Sequence, residues 1–340
     1  MASKASTLTI SYIMNYHNGG GIGHIIVNTA SYAARWCYEE PTKVMVTDPA
    51  CSEPCWMELP IAGCLSEVLN GETVDHEPLA LTAFHSDKVN ISALKGTREL
   101  SEAKLEFYGV DDKGFAFVYE LIFFADRIER VMKVRVEKSF ALSQWTFGGN
   151  KVAAITIAAD TVFDPNPVSH GIFKHPLSHA CSAREKWFTP GPFCYPYRLV
   201  NGSWLSVSLE PRADQMQFCR FQTVVPRDGK VGFKATYDSL PEYSSEWESP
   251  ALVFRFGAKD EFEALKKYAD GLVDSGKIGK PERKIADWWH GVIVCGWHEQ
   301  MHQATLHNGQ GPDYCTPAVY NNHMAEIEEA GIRFDIIMLD

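Results

Sequence analysis

The chain has 340 residues, 45% of them hydrophobic and 22% charged, with a formal net charge of −11 and a pI of about 5.6. This is ordinary globular composition, long enough for two domains and for a core that needs no covalent staples. The acidic balance repels phosphate backbones and sets nucleic acid aside as a partner, and the lack of an 18-residue apolar run sets a membrane-spanning helix aside.

Residues 1–85 show no single period. They begin MASKASTLTISYIMNY, without the continuous apolar core and cleavage site of a signal peptide. Nine cysteines stand at 37, 51, 55, 64, 181, 194, 219, 295 and 315, with no CxxC pair among them. Reduced thiols in the cytoplasm are therefore expected. On that reading the glycosylation patterns at Asn90-Ile91-Ser92 and Asn201-Gly202-Ser203 are coincidental.

From about residue 88 to 256 the pattern is β. Phe115–Phe124 and Arg127–Val136 read as a strand pair turning at Ala125-Asp126, and Val152–Ala158 is a further β-branched run. Leu205, Val207 and Leu209 alternate with Ser206 and Ser208. Val231, Phe233, Ala235 and Tyr237 alternate with Lys230, Gly232, Lys234 and Thr236, and Leu252, Phe254 and Phe256 repeat the pattern. A period of two gives each strand one buried and one wet face. Turn residues at 111–114, 164–167, 201–202 and 228–229 punctuate the strands, which implies a sandwich.

At Gly257 the period changes. Phe262, Leu265, Tyr268, Ala269, Leu272 and Val273 recur at helical spacing, with Asp260 placed to cap the start and Gly276 past the end. Lys277–Pro281 reads as a linker. Gly291–Cys295 reads as a buried strand, and a long loop is expected from His298 to Cys315. Thr316 and Pro317 then open a helix that Gly331 ends, and Asp335–Asp340 is a second apolar strand. Two apolar strands around a helix mean a parallel sheet covered on both faces.

Three signatures carry chemistry. Gly19-Gly20-Gly21-Ile22-Gly23-His24 follows a strand-like run, Leu8–Tyr16, and precedes a segment, Ile25–Trp36, that reads as a helix leading through Val44-Met45-Val46 to Asp48. This imitates a nucleotide-binding unit. However, His24 and Ile25 replace the Lys and Ser/Thr of a phosphate loop, and His24 replaces the last Gly of the dinucleotide version, so a plain glycine-rich turn is the better reading.

His298-Glu299-Gln300-Met301-His302 is a formal HExxH, in which two histidines one helical turn apart bind zinc and Glu acts as base. Against it, the pattern directly follows a strand, Gln300 is polar, and no HxxGxxH continuation supplies a third ligand. Glu326, Glu328 and Glu329 are spaced to offer one but lie on a helix explained otherwise. No bound zinc is expected, the histidines being read as lying in a loop where they need not point the same way. A zinc metallopeptidase stays as an alternative.

The third signature is positional. Parallel barrels place chemistry at the C-terminal ends of their strands, where Trp297 and Asp340 fall. A loop far longer than the usual ~2–6 residues follows Trp297, which suggests function. An aromatic ring packs on the C–H face of a sugar, and a carboxylate accepts hydrogen bonds from two hydroxyls. The plainer alternative makes Trp297 a core aromatic and Asp340 a position without a role.

Asp287-Trp288-Trp289, Val292-Ile-Val-Cys-Gly-Trp-His-Glu-Gln300, Thr316-Pro-Ala-Val-Tyr320, Glu329-Ala-Gly-Ile-Arg333 and Ile336-Ile-Met-Leu-Asp340 together resemble the opening of the catalytic barrel of the α-galactosidase and raffinose-synthase type of glycoside hydrolase, related to the α-glucosidase clan. The resemblance implies a β-supersandwich ahead of a (β/α)8 TIM barrel. It also implies a retaining mechanism with two carboxylates about 5–5.5 Å apart, the nucleophilic Asp following the fourth barrel strand and the acid/base Asp the sixth. The sequence reaches the second strand, so no catalytic residue carries over, and the 340 residues alone are expected to be inactive. What carries over is Asp340, similar to the first of an Asp-Asp pair that binds sugar hydroxyls in the −1 subsite, and Trp297, similar to a Trp near it. His298 departs from the Gly the family has between Trp and Glu.

The expectation is thus a mainly β plus α/β chain: a β-sandwich over 1–256, with 1–85 left unassigned within it, a helical linker over 257–285, and a truncated barrel start over 286–340. It would be the N-terminal part of a glycoside hydrolase acting on α-linked galactosides or related α-glycosides. Trp297 and Asp340 would bind carbohydrate, with no metal or cofactor, and the incomplete barrel would favour self-association. A non-catalytic carbohydrate-binding or interaction protein is the alternative from another class.

Overall fold

The computed structural model describes residues 7–15, 21–50, 55–85, 98–147, 155–164, 174–176, 193–218, 220–224, 230–237, 242–243, 245–279 and 290–338. The chain divides into two compact units, Met1–Gly279 and Lys280–Asp340.

The first unit is mostly β. One sheet runs in the order Glu72–His76, Cys64–Leu69, Phe140–Phe147, Lys230–Thr236, Ile155–Ile157, Cys55–Pro60, Glu40–Thr47, Ala33–Cys37, Gly21–Asn28, Leu8–Asn15 and Arg98–Leu100. The other runs Lys174–Pro176, Ala159–Phe163, Cys194–Leu199, Trp204–Glu210, Ala251–Ala258, Arg127–Arg135, Ala116–Phe124, Glu102–Val110 and Thr82–His85. Strand Arg127–Arg135 alternates between half-buried and buried positions, as one face turned to a core requires. Side chains of both sheets, among them Trp36, Val46 and Phe233 from the first and Phe107, Tyr119 and Phe254 from the second, form one apolar cluster. The strand pair at Ala125-Asp126 is an antiparallel hairpin, Ala116–Phe124 with Arg127–Arg135. Val231, Phe233 and Ala235 are fully buried, as their spacing requires.

Four sequence expectations change. The segment Ile25–Trp36, read as a helix, is two strands, Gly21–Asn28 and Ala33–Cys37, paired antiparallel. Gly21 and Gly23 lie in the strand paired antiparallel with Leu8–Asn15, in keeping with the reading that set the phosphate loop aside, and Gly19 and Gly20 lie outside the described residues. The described residues between 7 and 85, which showed no single period, form strands of the sandwich apart from short connections. Strand Trp204–Glu210, expected to keep a wet face, is buried at all seven positions. The reason is the fourth change. The helix expected within a linker, α1 (Glu261–Asp274), packs against Cys194–Leu199, Trp204–Glu210 and Ala251–Ala258 and covers the outer face of the second sheet at those three strands. Its contact face is Glu261, Ala264 and Tyr268, while Phe262 stays 68% exposed. Asp260 caps it, accepting from the Glu263 N–H at 2.7 Å.

The second unit holds strand Ile293–Cys295, α2 (Trp297–His307), a 3-10 turn Gly311–Tyr314, α3 (Pro317–Glu329) and strand Ile336–Met338. The strands pair in parallel. Thr316 caps α3 at the Val319 N–H, and Gly331 sits at φ +71° past its end, a conformation that costs a residue without Cβ nothing. Two expectations fail here. The loop from His298 to Cys315 is mostly α2. Only Gln300 and Ala304 of that helix are buried, so its sequence carries almost no apolar period. The strands, expected to be covered on both faces, leave Val292, Ile293, Ile337 and Met338 44–52% exposed.

Candidate functional site

The ends of the two parallel strands are level. Cys295 pairs with Met338, and the Gly296 N–H reaches the Met338 carbonyl at 3.4 Å. Helix α2 begins at the next residue, so Trp297 stands in its first turn, directly beyond the C-terminal end of the first strand, with its side chain 41% exposed. It leans toward the 3-10 turn: a Cβ at Gly311 would lie 3.7 Å from Trp297 Cη2, with Met301 alongside. Gly296 is buried because the Tyr320 ring of α3 sits against it. A Cβ there would lie 2.6 Å from Tyr320 Cζ and 2.7 Å from its oxygen. The Gln300 amide, 1% exposed, donates to that oxygen. Asp340 lies outside the described residues.

Because α2 is a helix, His298 and His302 do lie one turn apart, and both are exposed. The loop expected to separate them is a helical turn instead. Glu299 is engaged elsewhere: it accepts from Gln303 Nε2 at 2.7 Å and lies 3.9 Å from His323 Nδ1. Among the described residues no group of three or more His, Cys, Asp or Glu side chains is arranged to hold a metal. Two histidines supply half of zinc's usual four-coordinate shell.

The sandwich holds polar clusters that sequence spacing did not reveal. His76, 1% exposed, is hydrogen-bonded through Nδ1 to Asp111 at 2.7 Å and through Nε2 to Glu67 at 3.0 Å, and stacks on Phe115. Asp111 Oδ1 also accepts from the Lys113 and Phe115 N–H groups. The cluster ties a hairpin of one sheet to a hairpin of the other.

Arg130 is wholly buried. It donates to the Ile61 carbonyl through Nε at 3.1 Å and Nη2 at 2.6 Å, lies 3.3 Å over the Phe147 ring, and leaves Nη1 without a partner among the described residues. Burial pulls its pKa down to about 9. Glu210, 1% exposed, binds Arg255, Ser208 and Lys277 beneath α1. Burial raises its pKa, but the Arg255 hydrogen bond and charge, with Lys277 behind them, outweigh this and hold the carboxyl below its ordinary range.

A groove of about 900 Å³ lies on the outer face of the first sheet, floored by Ile26, Ala33 and Met45 and flanked by Arg35, Lys43 and Asp48. Several of its polar groups are already engaged. Arg35 meets His24, Lys43 meets Glu40 and Glu58, and Asp48 accepts from the Ala50 N–H. Burial pushes the Cys194 thiol up, which makes it inert. The six described cysteines form no disulfide, and no described helix is long and apolar enough to cross a membrane.

No protein-family profile matches the chain, and no curated protein matches it. Solved structures with a similar shape include the α-N-acetylgalactosaminidase NagBb from Bifidobacterium bifidum in its GalNAc complex (TM-score 0.48, 7% identity, covering 74% of this chain and 38% of that one). A glycoside hydrolase family 97 enzyme from Pseudoalteromonas sp. strain K8 in complex with panose has a TM-score of 0.42 and 9% identity, covering 86% of this chain and 42% of that one. The Slr1438 protein from Synechocystis sp. PCC 6803 has a TM-score of 0.35 and 10% identity, covering 72% of this chain and 94% of that one. The chain spans well under half the length of the first two. At these scores and identities the likenesses assign no chemistry to this chain.

Proposed function

We propose that this chain forms the accessory β-supersandwich and barrel opening of an α-glycoside-hydrolase architecture, and that it binds α-linked galactosides or related α-glycosides at the strand ends of its second unit. The observation that carries the reading is the pairing of Cys295 with Met338 in parallel register. The strands end level, one running into the half-exposed Trp297 and the other toward Asp340. Trp297 offers an aromatic face to a sugar ring, and Asp340 a carboxylate to its hydroxyls. The barrel motifs between Asp287 and Asp340 support the same reading.

Cleavage by this mechanism needs two carboxylates about 5–5.5 Å apart, and the resemblance puts both on later barrel strands. Binding is therefore the activity proposed for the strand ends that carry Trp297 and Asp340, and cleavage is assigned to those later strands. The test is titration with an α-1,6-linked galactosyl-glucose disaccharide, followed by calorimetry, alongside a hydrolysis assay on an aryl α-galactoside. Binding that weakens at least about tenfold in both Trp297→Ala and Asp340→Asn, about 1.4 kcal/mol each, is the expected result. Turnover abolished by mutating a residue of this chain would sink the proposal, as would affinity indifferent to Trp297.

A further inference from the structure

We infer that Gln300 and Tyr320 form a clamp that positions Trp297. The inference rests on the sugar-binding reading only for the identity of the ligand that Trp297 meets. Trp297 is the first residue of α2, and the cap position before it is held by Gly296, which makes no side-chain hydrogen bond. Something else must fix the angle at which the helix leaves the strand. Three observations point to Tyr320. Its ring occupies the space that a side chain at Gly296 would need, so strand end and ring are in direct contact. Its oxygen accepts from Gln300, a buried polar side chain one turn beyond Gly296 on the same helix. And the Gln300 N–H closes the first turn of α2 on the Gly296 carbonyl at 3.0 Å. Tyr320 therefore touches the strand end through its ring and the first turn through its oxygen, and Trp297 lies between those two points of attachment.

This gives the polar residue inside the HExxH pattern a purpose. Gln300 faces inward because it holds Tyr320, while His298 and His302 face outward. A buried amide that loses its partner keeps the full cost of desolvation, whereas removing both partners together is nearly neutral. Tyr320→Phe should therefore free the first turn of α2, and Tyr320→Phe combined with Gln300→Leu should restore it with an apolar contact.

The test incorporates 5-fluorotryptophan into the full chain and assigns the Trp297 fluorine signal by Trp297→Phe. In Tyr320→Phe that signal shifts or broadens, while those of the sandwich residues Trp36, Trp56, Trp145, Trp204 and Trp247 do not move. In the double variant it returns to its original place. The same proteins are titrated with the galactosyl-glucose disaccharide, and affinity falls about tenfold in Tyr320→Phe and recovers in the double variant. An unmoved Trp297 signal in Tyr320→Phe overturns the inference, and so does a signal that the double variant fails to restore. If the fluorine pattern appears as expected and no protein binds the disaccharide, the clamp stands and the sugar-binding reading falls.

Discussion

Replacing glycine by alanine inside a helix normally stabilises a protein by roughly 1 kcal/mol, because glycine has more backbone freedom to lose. Gly271, in the third turn of α1, should do the reverse. A Cβ there would lie 2.9 Å from Arg255 Cζ and closer still to Nη2. Arg255 cannot yield freely, since it holds Glu210 through two nitrogens, the longer contact being 3.2 Å, with Lys277 third in the cluster at 3.4 Å. Both members of the pair are at most 5% exposed. Breaking a buried pair costs about 3–5 kcal/mol, because the remaining charge is left without a partner. After the helix gain is subtracted, Gly271→Ala should lose about 2–4 kcal/mol, a fall in Tm on the order of 5–12 °C for a unit of this size. Calorimetric melts of the wild type and Gly271→Ala provide the measurement. The same substitution in a Glu210→Gln/Arg255→Met background should recover the ordinary gain. A cleft of about 330 Å³ lined by Asp126, Glu129 and Asp270 adjoins the pair. If the guanidinium moves into it without loss, Tm stays level or rises and the reasoning is refuted.

Glu210 is held below its ordinary pKa in the fold, so the stability it contributes is complete above the unfolded value of about 4.3. That contribution is lost as pH falls through the lowered folded value. Glu210→Gln should therefore flatten the acid limb of a stability–pH curve below about pH 4, and an unchanged limb would show the pair to be inert. His76→Ala leaves Glu67 and Asp111 buried without the ring that binds both. A loss of about 1–3 kcal/mol for each of the two buried hydrogen bonds is expected in urea unfolding, and a total loss under about 1 would mean that water replaces the imidazole. Arg130→Met removes a buried cation that has no carboxylate partner among the described residues. Thermal stability equal to the wild type or higher is expected, because a well-packed apolar side chain often outperforms a buried charge, and a fall of more than about 2 kcal/mol would assign the guanidinium a larger share than its carbonyl and ring contacts suggest. In hydrogen exchange, the amides of Ile336–Met338, with one strand neighbour and exposed side chains, should exchange at least about 100-fold faster than those of Val231–Thr236. Equal protection would mean that the parallel pair has found a further partner.

The features legible in the sequence were those decided within a few residues. Asp260 and Thr316 mark helix starts because a short side chain reaches an N–H group three residues on, and the structure shows both bonds. Val231, Phe233 and Ala235 mark a strand because alternate side chains share a face, and all three are buried. The parallel pair was legible from its apolar runs, and Trp297 from its place at the end of one of them.

What escaped the sequence depended on distant partners. Ser206 and Ser208 look like a wet face until α1, which starts at Glu261, covers them. Helix α2 has too few buried positions to imprint a period, so its polar run reads as loop. Gly296 looks like an ordinary glycine until Tyr320, from the next helix, proves to need its space. His76, Glu67 and Asp111 stand too far apart in the chain for any spacing rule to join them. Sequence by itself determined the β-rich first part, the strand–helix–strand character of the end and the caps that punctuate it, because backbone preference and side-chain alternation act locally. Tertiary structure alone decided which polar groups are buried and which rings meet, because burial belongs to a pair of surfaces and each stretch of chain encodes only one of them.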